Sequence, residues 1–200
     1  MTIAIGISNF SGSIIATDSR LTMPLDHHLH VTSDHTQKIF RVNNCLVATA
    51  GQYNLKFDYH WLTVKEFLLN FAARHPDLAD RKLAMVLQQE ISTTDLANND
   101  FIMATGSSIW QITQHSLAMT NYTAIGQPQA VDYFNHAYCN ASRNLPITQL
   151  AAELPAKLTH LIETHPQIRK IGGPIQIACI GNKMYENPNR TSDTNLDMLY

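Results

Sequence analysis

Residues 1–20 read MTIAIGISNFSGSIIATDSR, and the way this stretch divides sets the fold. Ile3–Ser8 alternates apolar with small residues, Asn9-Phe10-Ser11-Gly12 supplies turn chemistry, and Ser13–Ala16 resumes the apolar run. Such a pattern predicts a β-hairpin whose first strand starts at the second residue of the chain. Its second strand closes on Thr17-Asp18-Ser19-Arg20, a charged pair at the end of an apolar run.

Outward from this hairpin, residues 21–37 are polar, contain a Pro and four of the ten histidines, and predict a loop or a long hairpin arm. Ile39–Val42 and Leu46–Thr49 flank Asn43-Asn44, a second hairpin signal. Gly51 ends the strands. From Asn54 to Arg74 the residues Leu55, Tyr59, Leu62, Phe67, Leu68 and Phe71 fall at helical spacing, and Pro76 closes that helix. Trp61 and the stripe Tyr59, Phe67, Phe71 read as core.

A second helix is predicted over Asp80–Leu96, then strands Phe101–Thr105 and Ile109–Thr113, helices near Gln129–Ala141 and Thr148–Glu163, and a last strand Pro174–Ile180. Pro155 is expected to kink or break the fourth helix. Strands and helices in blocks argue against a strictly alternating parallel fold. The expected class is α+β, with two stacked antiparallel sheets covered by helix pairs. One domain over residues 1–181 and a polar, Asn-rich tail over 182–200 complete the division.

The chain of 200 residues carries 44% hydrophobic and 15% charged residues, a globular balance. A formal net charge of −2 and the lack of any Lys/Arg run argue against nucleic acid as a partner. No apolar run approaches the ~20 residues that cross a bilayer, and the start lacks a signal-peptide pattern. Cys45, Cys139 and Cys179 are odd in number, far apart and set in apolar segments, so they read as buried reduced thiols. These features together point to the cytoplasm.

The chemistry centres on Thr2. Removal of Met1 before a small residue would leave a free Thr with both a hydroxyl and its own α-amine. An amine of pKa near ~7.7–8.0 suits a general base at neutral pH, and it can take the hydroxyl's proton within one residue. Asp18 and Lys38 could pair, and an ammonium beside the amine would keep it a free base. Gly51 could bring a backbone N–H to a developing oxyanion. No cofactor is required. Asp26, His27, His28, His30, Asp34 and His35 offer metal-binding types, but no recognised ligand spacing appears, so the arm reads as a solvated loop without a metal.

Thr2 opening a strand, Ala16-Thr17-Asp18-Ser19-Arg20, Lys38 on the next strand and Ala48-Thr49-Ala50-Gly51 together resemble proteasome β-type subunits, either true β subunits or their bacterial Anbu-like relatives. The likeness continues through Thr123-Ala124-Ile125-Gly126 and Gly172-Gly173-Pro174, and covers about residues 2–181. The resemblance implies a four-layer αββα N-terminal nucleophile hydrolase. Thr2 would be nucleophile and base, Lys38 would tune the amine, Asp18 would orient Lys38, and Gly51 would supply the oxyanion N–H. Arg20 would be a structural brace.

It also implies a peptide or protein substrate and a homo-oligomeric ring, and leaves open whether an unfoldase serves it. Two other functions fit the same residues: a non-catalytic assembly or peptide-binding subunit, and an amidohydrolase for a small non-peptide amide. Three positions depart from the family pattern. Gln127 stands where a Ser usually neighbours the amine, and Ile168 and Ile171 stand where an Asp and a Ser are common.

Overall fold

A computed structural model describes residues 2–25, 28–57, 60–93, 95–138, 145–165, 168 and 170–181. The tail over 182–200, Cys139, Tyr59, Asp26 and His27 lie outside them.

Two antiparallel sheets organise the chain. The first has four strands in the order β12 (Tyr122–Gly126), β1 (Ile3–Asn9), β2 (Gly12–Thr17), β13 (Gln176–Gly181). The second has five, in the order β11 (Leu117–Thr120), β10 (Ile109–Ile112), β9 (Asp100–Ala104), β6 (Cys45–Ala50), β5 (Ile39–Val42). Among the described residues the α-helices are α1 (Val64–Arg74), α2 (Asp80–Ser92), α3 (Pro128–Tyr138) and α4 (Ile147–Thr164). The class is α+β, as the blocks of strands and helices led us to expect.

Side-chain alternation distributes the core. On β1, Ile3, Ile5 and Ile7 join an apolar cluster with Ala130 and Phe134 of α3 and Leu150, Leu154, Leu158 and Leu161 of α4. Ala4, between them, points the other way, into a cluster with Ile15, Ala48, Ala50, Ile102, Ala104 and Ile109 that draws on both sheets. The outward residues of the five-stranded sheet, among them Val47, Phe101 and Met103, pack with Phe67 and Phe71 of α1 and Leu83 and Leu87 of α2. A period of two, with both faces buried, explains why β1 reads as a nearly continuous apolar run. The cluster between the sheets is rich in Ala because the sheets approach closely. A Cβ on Gly6 would come within 2.8 Å of Ile102 Cγ2.

The first hairpin turns at Phe10-Ser11, and the second at Asn43-Asn44, with Asn43 at φ 54°. Asn visits that left-handed region more readily than other residues with a Cβ. Pro155 does not break α4, which runs through it from Ile147 to Thr164. Four fully buried leucines at roughly 1.5–3 kcal/mol each outweigh the roughly 3 kcal/mol that an interior Pro costs.

Three expectations are corrected. The helix expected from Asn54 begins only at Val64, and the preceding residues form a separate hairpin, β7 (Asn54–Phe57) with β8 (His60–Thr63). Thr63 caps α1 reciprocally with Glu66: Glu66 N–H donates to Thr63 Oγ1 and Thr63 N–H to Glu66 Oε2. This capping box defines the helix start against the helical spacing upstream of it. Trp61 is not core; it is 69% exposed. The second helix stops at Ser92, followed by a 3-10 turn over Asp95–Asn98, and β11 and β12 were not anticipated as strands. The polar segment after Arg20 is a hairpin arm, β3 (Leu21–Leu25) with β4 (His28–Ser33).

Candidate active site

The end of β2 places Asp18 beneath the start of β1. Asp18 is fully buried, and its carboxylate collects four donors. Oδ1 accepts from Ile3 N–H at 3.1 Å and from Lys38 Nζ at 3.0 Å; Oδ2 accepts from Gly172 N–H at 3.1 Å and from Arg20 N–H at 3.2 Å. One oxygen therefore joins the backbone next to Thr2 to the lysine that immediately precedes β5 of the other sheet. Lys38, only 2% exposed, also donates to the Arg20 carbonyl at 2.6 Å.

Burial pushes the Asp18 carboxyl above its ordinary value, while Lys38, Gly172 and Ile3 pull it back. Burial likewise pushes the Lys38 ammonium below its ordinary value against the pull of Asp18. Such a pair holds its charges out of water only with the help of its hydrogen bonds, four to the carboxylate and two from the ammonium.

Thr2 is buried, and its carbonyl accepts Gln127 N–H at 2.9 Å. Gly126, at φ +118°, must lack a side chain, since a Cβ there would overlap the Thr2 carbonyl oxygen. The Gln127 side chain is buried beside this contact, and its Oε1 has no hydrogen-bond partner among the described residues. Ile168 and Ile171 are both buried in the apolar cluster under the four-stranded sheet.

A cavity of about 560 Å³ opens over these residues, lined by Thr2 and Lys38 together with Gly51, Thr49 and Tyr53, and walled by Met23 and Leu29 of the β3–β4 arm and Trp61 of the β7–β8 hairpin. All four residues singled out from the sequence thus gather here: Thr2, Lys38 and Gly51 in the wall, Asp18 behind it.

Gly51 has φ +137°, and a Cβ on it would meet Asn98 O at 2.6 Å and the Asn99 side chain. Asn99, fully buried, holds the Gly51 turn from both sides. Its Nδ2 donates to Thr49 Oγ1 at 3.2 Å and to Gln52 O at 2.8 Å, and its Oδ1 accepts Gln52 N–H at 3.2 Å. Asn99 and Lys170 carried no signal in the sequence, and Trp61, expected in the core, lines this cavity instead.

Arg20 braces the arm. Its Nε donates to Asp34 Oδ1 at 2.6 Å and its Nη2 to Asp34 Oδ2 at 3.3 Å, and Ser19 Oγ donates to the Asp34 carbonyl. Asp34 is thereby occupied, and no group of three or more metal-ligating side chains occurs among the described residues. Among the described residues no helix is long and apolar enough to cross a membrane.

No protein-family model matches this sequence, and no curated protein matches it.

Proposed function

We propose that the chain is a threonine-nucleophile peptidase or amidase of the proteasome β type, with the four-layer αββα architecture of N-terminal nucleophile hydrolases. The observation that carries this reading is Asp18 Oδ1, which accepts from both Lys38 Nζ and the amide that follows Thr2, behind the wall of a cavity that Thr2 and Lys38 both line. The three apolar clusters, one drawing on both sheets and one under each helix pair, support the architecture.

In this reading Met1 is removed, and the freed α-amine of Thr2 takes the proton of its own hydroxyl as Oγ1 attacks the amide carbonyl carbon. The oxyanion that forms is met by the Gly51 N–H. The C–N bond then breaks as the leaving amine takes the proton, leaving an acyl ester on Thr2. Water attacks the ester, the acid departs, and the hydroxyl is restored. The Lys38 ammonium, held by Asp18, disfavours a second positive charge on the amine and keeps it a free base. Gln127 replaces the usual Ser, and its buried Oε1 supplies an acceptor for an amine proton.

A non-catalytic subunit is the second reading. It is favoured by Ile168 and Ile171, which pack as core where relatives carry polar residues. Turnover separates the two. Untagged protein with Met1 removed, verified by intact mass, should cleave members of a peptide library, and Thr2→Ala should abolish cleavage with an unchanged thermal melt. A wild type that cleaves nothing after confirmed processing leaves the non-catalytic reading standing.

A further inference from the structure

The cavity wall carries three cations, Arg20, Lys38 and Lys170, and no Asp or Glu among the described residues that line it. Two of the three are already matched: Lys38 by the Asp18 carboxylate and Arg20 by the two oxygens of Asp34. Lys170 has no matching carboxylate within ion-pair distance among the described residues.

Lys170 does not ride on a free surface loop. Ile171, next to it, is buried in the core. Gly172 donates to Asp18 Oδ2, and its carbonyl accepts both Ser19 N–H at 3.1 Å and Arg20 N–H at 2.8 Å. The Arg20 guanidinium packs so closely over Gly172 that a Cβ there would lie 2.5 Å from Cζ. The backbone that presents Lys170 is thus fixed to the same turn that holds the Asp18–Lys38 pair. With Lys38 and Arg20 neutralised by their carboxylates, Lys170 supplies the excess positive charge on the described wall of this cleft, and such a charge raises the local concentration of the opposite one.

We propose that Lys170 selects amide substrates carrying a carboxylate on the acyl side of the scissile bond, with their apolar portions against Leu21, Met23, Leu29 and Trp61. This inference rests on the reading of the cavity as an acyl-binding site. It concerns charge selection, which the chemistry at Thr2 does not itself require. An acidic peptide would pair with Lys170 in a partly dried cleft, where the ion pair is weakly screened.

Binding tests this without turnover. Full-length Thr2→Ala protein is titrated calorimetrically with acetyl-Leu-Leu-Glu-amide and acetyl-Leu-Leu-Gln-amide, which differ only in charge. The acidic peptide should bind at least about tenfold tighter at low salt, and the gap should shrink at about 0.5 M NaCl. Lys170→Gln should erase the gap, and Lys170→Arg should keep it. Equal affinities, or a gap that survives Lys170→Gln, would overturn the proposal. If neither peptide binds while Thr2 of the wild type still takes up an N-terminal-threonine electrophile, charge selection alone is wrong. If neither binding nor labelling occurs, the hydrolase reading fails with it.

Discussion

Lys38 donates its ammonium to Asp18 Oδ1 at 3.0 Å, with both side chains withdrawn from solvent. The same oxygen takes the Ile3 N–H, so a change at either residue reaches the chain beside Thr2.

The two halves of this pair should not be equally costly to remove. Lys38→Met leaves Asp18 with three backbone donors and should cost about 3 kcal/mol. Asp18→Ala strands the Ile3 and Gly172 N–H groups together with a buried ammonium, while the Arg20 N–H keeps the Gly172 carbonyl, and should cost about 5 kcal/mol. Urea unfolding of both variants measures the order. A Lys38→Met variant less stable than Asp18→Ala would show that the backbone donors contribute little.

The Arg20–Asp34 pair predicts an acid limb in stability. Its hydrogen bond to Arg20 holds the Asp34 carboxyl below its ordinary value of 3.8. A depressed folded-state value means that the contribution is complete above 3.8 and disappears as pH falls through the lower, folded value. Asp34 is more than one-third exposed, so the effect should stay under about 1 kcal/mol. Unfolding free energies of wild type and Asp34→Asn between about pH 2 and pH 6 should converge only at the acid end. A constant difference across that range would mean that the pair does not titrate with folding.

Burial pushes the thiols of Cys45 and Cys179 up to about 11. At pH 7 only on the order of 10⁻⁴ of each is thiolate, too little for rapid alkylation. Peptide mapping after iodoacetamide should find both unmodified in the native protein and both modified in urea. Rapid native labelling of either would admit a cysteine nucleophile and weaken the case for Thr2.

The proposed ring can be weighed in solution. α1 and α2, the helices of the proposed stacking surface, each present one exposed large apolar side chain, Leu69 and Met85. Light scattering at micromolar concentration should give a closed homo-oligomer with rotational symmetry. A monomer would contradict an enclosed peptidase.

Particular elements show what was readable in the sequence and what was not. The hairpins at Phe10-Ser11 and Asn43-Asn44 were legible because turn chemistry and strand alternation are local. Asp18, Lys38 and Gly51 were legible as residues flanking strand ends, and the fold brings those ends from two sheets to one cavity. The β7–β8 hairpin was misread because Leu55, Tyr59 and Leu62 mimic helical spacing, although Thr63-x-x-Glu66 already marked the true helix start. β11 was missed because a largely exposed edge strand needs no apolar alternation. Asn99 left no local signal, since the groups it holds lie 47 and 50 positions away and meet it only in the folded chain.

The central claim is that Thr2 acts as an N-terminal nucleophile, and a peptide epoxyketone tests it most directly because that electrophile joins a hydroxyl and an α-amine on one residue. Wild-type protein, its Met1 loss verified by intact mass, should gain one inhibitor mass per chain, mapping to the peptide that begins with Thr2. Lys38→Ala should take up the label much more slowly. No adduct on correctly processed protein, or an adduct on any other residue, would contradict the account.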